Sequence, residues 1–94
     1  MYEAEVLPEA QRHLNRLPPA VREAALEAIH GPIADNPRHI GKPLRDELQR
    51  LWCARRDLYR IIHEIVEEDR LVLVHRVKHR RDVYRQMEYD ANAC

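Results

Sequence analysis

Apolar and polar positions alternate along "YEAEV", Tyr2 to Val6, which predicts a short strand that cannot run on as a central ladder past Pro8. From Pro8, "PEAQRHLNRL" predicts a helix with proline at its first position and an apolar stripe of Ala10, Leu14 and Leu17. Pro18 and Pro19 end it. A second helix is expected from about Ala20, with Val21, Ala25, Ala28 and Ile29 on one face. Gly31-Pro32 interrupts this helix, which kinks or restarts before Asp35 to Pro37 closes it. Two helices joined by a short proline turn form an antiparallel hairpin.

"RHIGKPL", residues 38–44, predicts a loop. Three strand-like stretches follow: Glu47 to Arg55, Leu58 to Val66, and Leu71 to Val77. A tight turn at Arg56-Asp57 joins the first two, and the polar "EEDR" joins the last two. The order predicts a single α+β domain over residues 1–94: an N-terminal strand, a two-helix hairpin, then a three-stranded antiparallel meander. The helices pack on one face of a small twisted sheet.

Strand parity divides the side chains between the two faces. Tyr59, Ile61, His63 and Ile65 point one way, towards the helices, and Arg60, Ile62, Glu64 and Val66 the other. With Trp52 and Ala54 facing the helices, Arg55 joins Arg60 on the open side. The end of the last strand brings Arg80 and Tyr84 towards the same edge. A single bulge would flip part of this pattern.

Composition narrows the chemistry. A chain of 94 residues with 45% hydrophobic and 34% charged positions is globular rather than disordered. No apolar run approaches a membrane span, and the N-terminus lacks the basic and apolar regions of a signal peptide. Two cysteines, Cys53 and Cys94, make no disulfide framework and no zinc spacing, so a reducing, cytoplasmic setting is expected. The net charge of zero hides an asymmetry. Residues 1–49 hold six Lys/Arg against eight Asp/Glu, whereas residues 50–86 hold ten against six. Basic charge gathered in one half is the footprint expected for a polyanionic partner.

Several chemistries drop out. Two glycines in all make no phosphate-binding loop, and the chain contains no serine. The six histidines (13, 30, 39, 63, 75 and 79) have no helical metal spacing, so no metal or other cofactor is expected. Cys53 is expected as packing, Trp52 as core, and His63 as a hydrogen-bonded core residue. What remains is a set of arginines with Tyr84. Guanidiniums can clamp a phosphate and stabilise the extra charge of a pentacovalent transition state. A tyrosine among them can stack on a base, or act as one if positive surroundings favour its phenolate.

"GKPLRDEL", "LWCARRDLYRIIHEI" and "HRVKHRRDVYR" resemble the RelE/ParE superfamily of bacterial toxins, on its RelE side. The resemblance implies a ribosome-dependent mRNA endonuclease that cuts the A-site codon by metal-independent attack of the RNA's own 2′-hydroxyl. It also implies three partners: a cognate antitoxin protein, mRNA, and 16S rRNA. Arg60 matches the family's phosphate-contacting arginine, and Arg80 the arginine that stabilises the transition state, with Arg81 as the other choice. Tyr84 matches the near-C-terminal tyrosine, and Arg55 lies beside the strand that elsewhere carries two catalytic lysines. Those lysine positions are Leu51 and Cys53 here. Arg56, Lys78, Arg81 and Arg85 are expected as RNA contacts, and Arg76 as general phosphate attraction or solvation. Where the family often has glycine this chain has Asp46, Arg50, Asp57 and Lys78, and it has His63 where tyrosine is usual. Asp57 can adopt a left-handed conformation at modest cost. Two alternatives stay open: a ParE-like, non-enzymatic gyrase inhibitor, and a decayed toxin that binds only its antitoxin.

Overall fold

The computed structural model describes residues 1–44 and 50–83. Strand β1 (Glu3–Val6) leads into helix α1 (Pro8–Arg16), whose first position is the proline that needs no N–H partner. Pro18 is extended, and Pro19 starts helix α2 (Pro19–Ala28). The interruption expected at Gly31-Pro32 is a π-helical turn, Ile29–Ile33, which continues α2 without a break in helical backbone. A wider turn accommodates a proline that would remove a hydrogen bond from an ordinary α-helix. Its reward is burial: Ile29 and Ile33 are both fully enclosed.

Residues 38–44 are not a plain loop. Helix α3 (Pro37–Ile40) and a two-residue strand β2 (Lys42–Pro43) occupy most of the stretch, because Pro37 opens one more helical turn and Leu44 is anchored to Leu51 through its backbone. Then come β3 (Leu51–Arg56), β4 (Tyr59–Val66) and β5 (Leu71–His79). The expected start of β3 at Glu47 lies outside the described residues. The sheet order is β1-β5-β4-β3-β2, with β1 parallel to β5 and every other pair antiparallel. It is therefore a five-stranded mixed sheet around the expected meander.

Both hairpin turns use left-handed residues. Asp57 has φ 54° in the β3–β4 turn, and Arg70 has φ 51° after a 3₁₀ turn at Glu67–Asp69. An aspartate tolerates that geometry better than most residues. Arg70 is held there by company: its guanidinium lies 4.4 Å over the Tyr2 ring, and Glu67 receives Tyr2 Oη at 2.7 Å and Arg38 at 2.6 Å. This exposed cluster joins β1, α3 and the β4–β5 turn. The Tyr2 hydroxyl, with Arg38, holds the Glu67 carboxyl below its ordinary range.

Two apolar clusters sit on opposite faces of the sheet. Under the helices, Ala10, Leu14, Ala25, Ile29 and Ile33 pack on Ala54, Ile61, Val72, Val74 and Val77. The β4–β5 ladder shifts register at Ile62/His63, leaving His75 between paired Val74 and Arg76. That bulge lets Val74 and Val77 both face the helices despite their odd spacing. The opposite face, expected to be open, instead carries a second cluster: Leu44, Leu51, Cys53, Ile62 and Val83. Val83, just past β5, folds back over β3 and β4. Cys53 is buried here and is disulfide-bonded, which corrects its expected role as a simple packing thiol.

His63 is core, as expected, but not hydrogen-bonded. It is completely enclosed, and neither ring nitrogen has a partner of good geometry. Burial pulls its pKa down to about 4, against the weaker opposing pull of the Ile61 and Pro37 carbonyls. Gly41 packs directly on the ring: a Cβ there would lie 2.8 Å from His63 Cε1. Trp52, opposite His63 in the ladder, is only half-buried because β2 covers little of that edge.

Candidate functional site

Cross-strand register assembles the basic residues. Arg55 on β3 is paired with Arg60 on β4, and Arg60 in turn with Lys78 on β5. Directly opposed residues share a face, so the three form a row across three strands. Their neighbours Ala54, Ile61 and Val77 face the helices, which puts the row on the other side. Parity thus brought Arg55 and Arg60 together as expected, and the ladder adds Lys78.

Within the row the arginines differ. Arg55 is exposed. Arg60 is only 7% exposed, and its Nη1 donates to the carbonyls of Asp57 at 3.0 Å and Tyr59 at 2.9 Å. Its guanidinium therefore braces the turn whose Asp57 has positive φ. Arg56, at the end of β3, is exposed.

Beyond β5 the chain makes a helical turn, with the N–H groups of Asp82 and Val83 both donating to the His79 carbonyl. Arg80 donates its N–H to the Leu58 carbonyl at 2.8 Å, which fastens this turn to the β3–β4 hairpin. The exposed side chains of Arg80 and Arg81 thus emerge at the same end of the sheet as the row. Arg81 also folds towards His79, whose Nδ1 accepts its backbone N–H at 3.1 Å. Tyr84 and Arg85 lie outside the described residues.

Arg76 does something other than attract phosphate. Its Nε lies 3.2 Å from Glu9 on α1, and its Nη1 donates to the Val83 carbonyl at 3.0 Å. It clips helix, strand and the returning segment together. Leu51 and Cys53, expected at the family's lysine positions, are both buried with Val83 in one apolar cluster.

Two further groups lie off the row. His13 on α1 is buried, and its Nδ1 accepts the Val77 N–H at 3.2 Å. Strand β1 pairs with β5 only as far as Val74, so His13 satisfies an edge amide that no strand reaches. Burial, helped by Lys78 and Arg76 and opposed by Glu9, lowers its pKa. A neutral ring accepting at Nδ1 carries its proton on Nε2. The second is Glu64, whose Oε1 accepts from His75 Nε2 at 2.9 Å. It lies two ladder steps from Arg60, separated by Ile62, and is a cross-strand pair rather than part of the basic end. Among the described residues no group of three or more His, Cys, Asp or Glu side chains gathers as a metal would need. No helix there is long and apolar enough to cross a membrane.

Comparison with known proteins gives one answer. The family model for the ParE toxin of the type II toxin–antitoxin system parDE matches residues 4–84. Toxin RelG of Mycobacterium tuberculosis is 42% identical over 77 residues, 82% of this chain and 88% of that protein. Toxin RelE of the same organism is 36% identical over 93 residues, covering 99% and 91%. Among solved structures, the toxin–antitoxin complex RelBE2 from M. tuberculosis contains a chain that superposes with a TM-score of 0.81 at 37% identity, covering 83% of this chain and 96% of that one.

Proposed function

The chain belongs to the RelE/ParE family of toxins from type II toxin–antitoxin systems, and from that premise we propose that it is a ribosome-dependent mRNA endonuclease. The observation that carries this reading is the basic end of the sheet, where Arg55, Arg60 and Lys78 stand in register and Arg80 is fastened beside them. In the reaction, the 2′-hydroxyl of one nucleotide attacks the adjacent phosphorus and the 5′-oxygen of the next nucleotide leaves. The products are a 2′,3′-cyclic phosphate and a 5′-hydroxyl.

Charge builds on the phosphate oxygens as the pentacovalent state forms, and preset guanidiniums stabilise it without reorganising. Arg80 supplies that charge, Arg60 contacts the phosphate at the braced turn, and Arg55 assists from the neighbouring strand. Arg56, Lys78, Arg81 and Arg85 hold the strand by phosphate attraction. Tyr84 stacks on a base or takes the 2′ proton. Because Leu51 and Cys53 are apolar and covered, neither position provides the proton acceptor. The partners are mRNA and 16S rRNA in the A site, in the cytoplasm, and a cognate antitoxin of the kind in the RelBE2 complex.

The matched family model carries the ParE name, which is the observation that favours a gyrase-poisoning reading instead. Induced expression without antitoxin separates the two. Growth arrest should be relieved by Arg80→Ala and by Tyr84→Phe in proteins that still fold. Full toxicity in both variants, with chromosomal DNA breaks, would move the assignment to the ParE side.

A further inference from the structure

His79 is the last residue of β5, and the turn that carries Arg80 departs from it. Its carbonyl accepts the N–H groups of Asp82 at 2.8 Å and Val83 at 3.0 Å. Its ring Nδ1 accepts the Arg81 N–H at 3.1 Å, with the Arg81 Nε at 3.4 Å. A side-chain acceptor for the N–H two residues on is ordinarily an Asp, Asn, Ser or Thr oxygen at the start of a helical turn. Here an imidazole takes that place, and a ring that accepts at Nδ1 carries its proton on Nε2. Tyr59, its partner in the ladder, holds the ring edge-to-face with centroids 5.5 Å apart.

The consequence falls on Arg80. Its own N–H donates to the Leu58 carbonyl at 2.8 Å, which pins the peptide plane before its Cα. The Arg81 N–H on His79 Nδ1 pins the plane after it. With both planar peptides held, φ and ψ of Arg80 are set, and so is the direction in which its side chain leaves the backbone. His79 does this from across the sheet. Tyr59 and His79 are one ladder step from Arg60 and Lys78, so they face the helices while the basic row faces the other way. The imidazole is therefore no proton donor or acceptor for a phosphate on that row.

We propose that His79 is a positioning residue for the cleavage reaction, its Nδ1 fixing the turn that aims Arg80 at the phosphate. The proposal deepens, and rests on, the mRNA-cleaving reading. The test is single-turnover cleavage of a defined mRNA on programmed ribosomes at rising toxin concentration, which separates the saturating rate from the half-saturating concentration. His79→Leu, which keeps bulk but has no acceptor, should lower the saturating rate about tenfold or more and move half-saturation less than about twofold. His79→Asn, whose Oδ1 stands where Nδ1 does, should stay within about threefold of the unmodified rate. In an Arg80→Ala background, His79→Leu should cost no further rate, because its effect passes through Arg80.

An unchanged saturating rate in His79→Leu would overturn the proposal, as would His79→Asn as slow as His79→Leu. If the leucine variant does not fold, the asparagine variant decides alone, and a rate lowered about tenfold there overturns it. The two readings fail separately. An mRNA left intact by the unmodified toxin sinks the nuclease assignment and this proposal with it, whereas cleavage indifferent to His79→Leu removes only the role of His79.

Discussion

Gly41 and His63 show how tightly one small region is specified. With 2.8 Å between a built Cβ and His63 Cε1, and the Pro37 carbonyl at 3.2 Å on another side, Gly41→Ala has no free direction in which to relax. We expect it to cost about 1–3 kcal/mol, as overpacked cores do, measured by urea unfolding. The same imidazole makes stability pH-dependent. His63 stays neutral in the folded protein down to about pH 4 but takes a proton near its ordinary value of 6.5 when unfolded. Between those limits the unfolded chain binds more protons, so stability falls as pH drops through the window. The linkage is on the order of 3 kcal/mol. His13, also held below its ordinary value, pushes in the same direction. Unfolding curves at pH 7 and pH 5 should differ clearly for the unmodified chain and by much less for His63→Leu. Equal pH slopes in the two proteins would contradict the assignment.

At the level of elements, the ladder between β4 and β5 explains what alternation could and could not tell. Tyr59, Ile61 and His63 fall on the helix side of β4, and Arg55 meets Arg60, because those stretches obey period two without interruption. The bulge at His75 resets the parity of β5, and no local signal in "LVLVHRVKH" marks it. Asp57 was legible as a left-handed turn residue; Arg70 was not, since beside the local Glu67 it leans on Tyr2 from a distant part of the chain. The apolar cover over Leu51 and Cys53 likewise depends on Val83 returning across the sheet, a tertiary event. The histidine on α1 belongs with these, because the unpaired edge amide it satisfies is on β5, far along the chain. His13→Ala removes the acceptor from a buried Val77 N–H, and we expect it to destabilise by about 1–3 kcal/mol in chemical denaturation. A variant as stable as the unmodified chain would mean that the edge amide finds water instead.

Across the whole molecule, the charge asymmetry read from the sequence becomes a spatial one. The exposed cations of residues 55, 56, 80 and 81 collect at one end of the sheet. The fold that gathers them is shared with a chain of the RelBE2 complex, yet Leu51 and Cys53, which the resemblance sets at the family's lysine positions, are apolar. The account therefore stands on the arginines alone carrying the phosphate chemistry. Mapping transcript 5′ ends within minutes of inducing the toxin in cells without antitoxin tests this most directly. The account predicts new 5′-hydroxyl ends within codons of translated regions, absent for Arg80→Ala and absent where ribosomes do not travel. Intact transcripts alongside persistent growth arrest would contradict it.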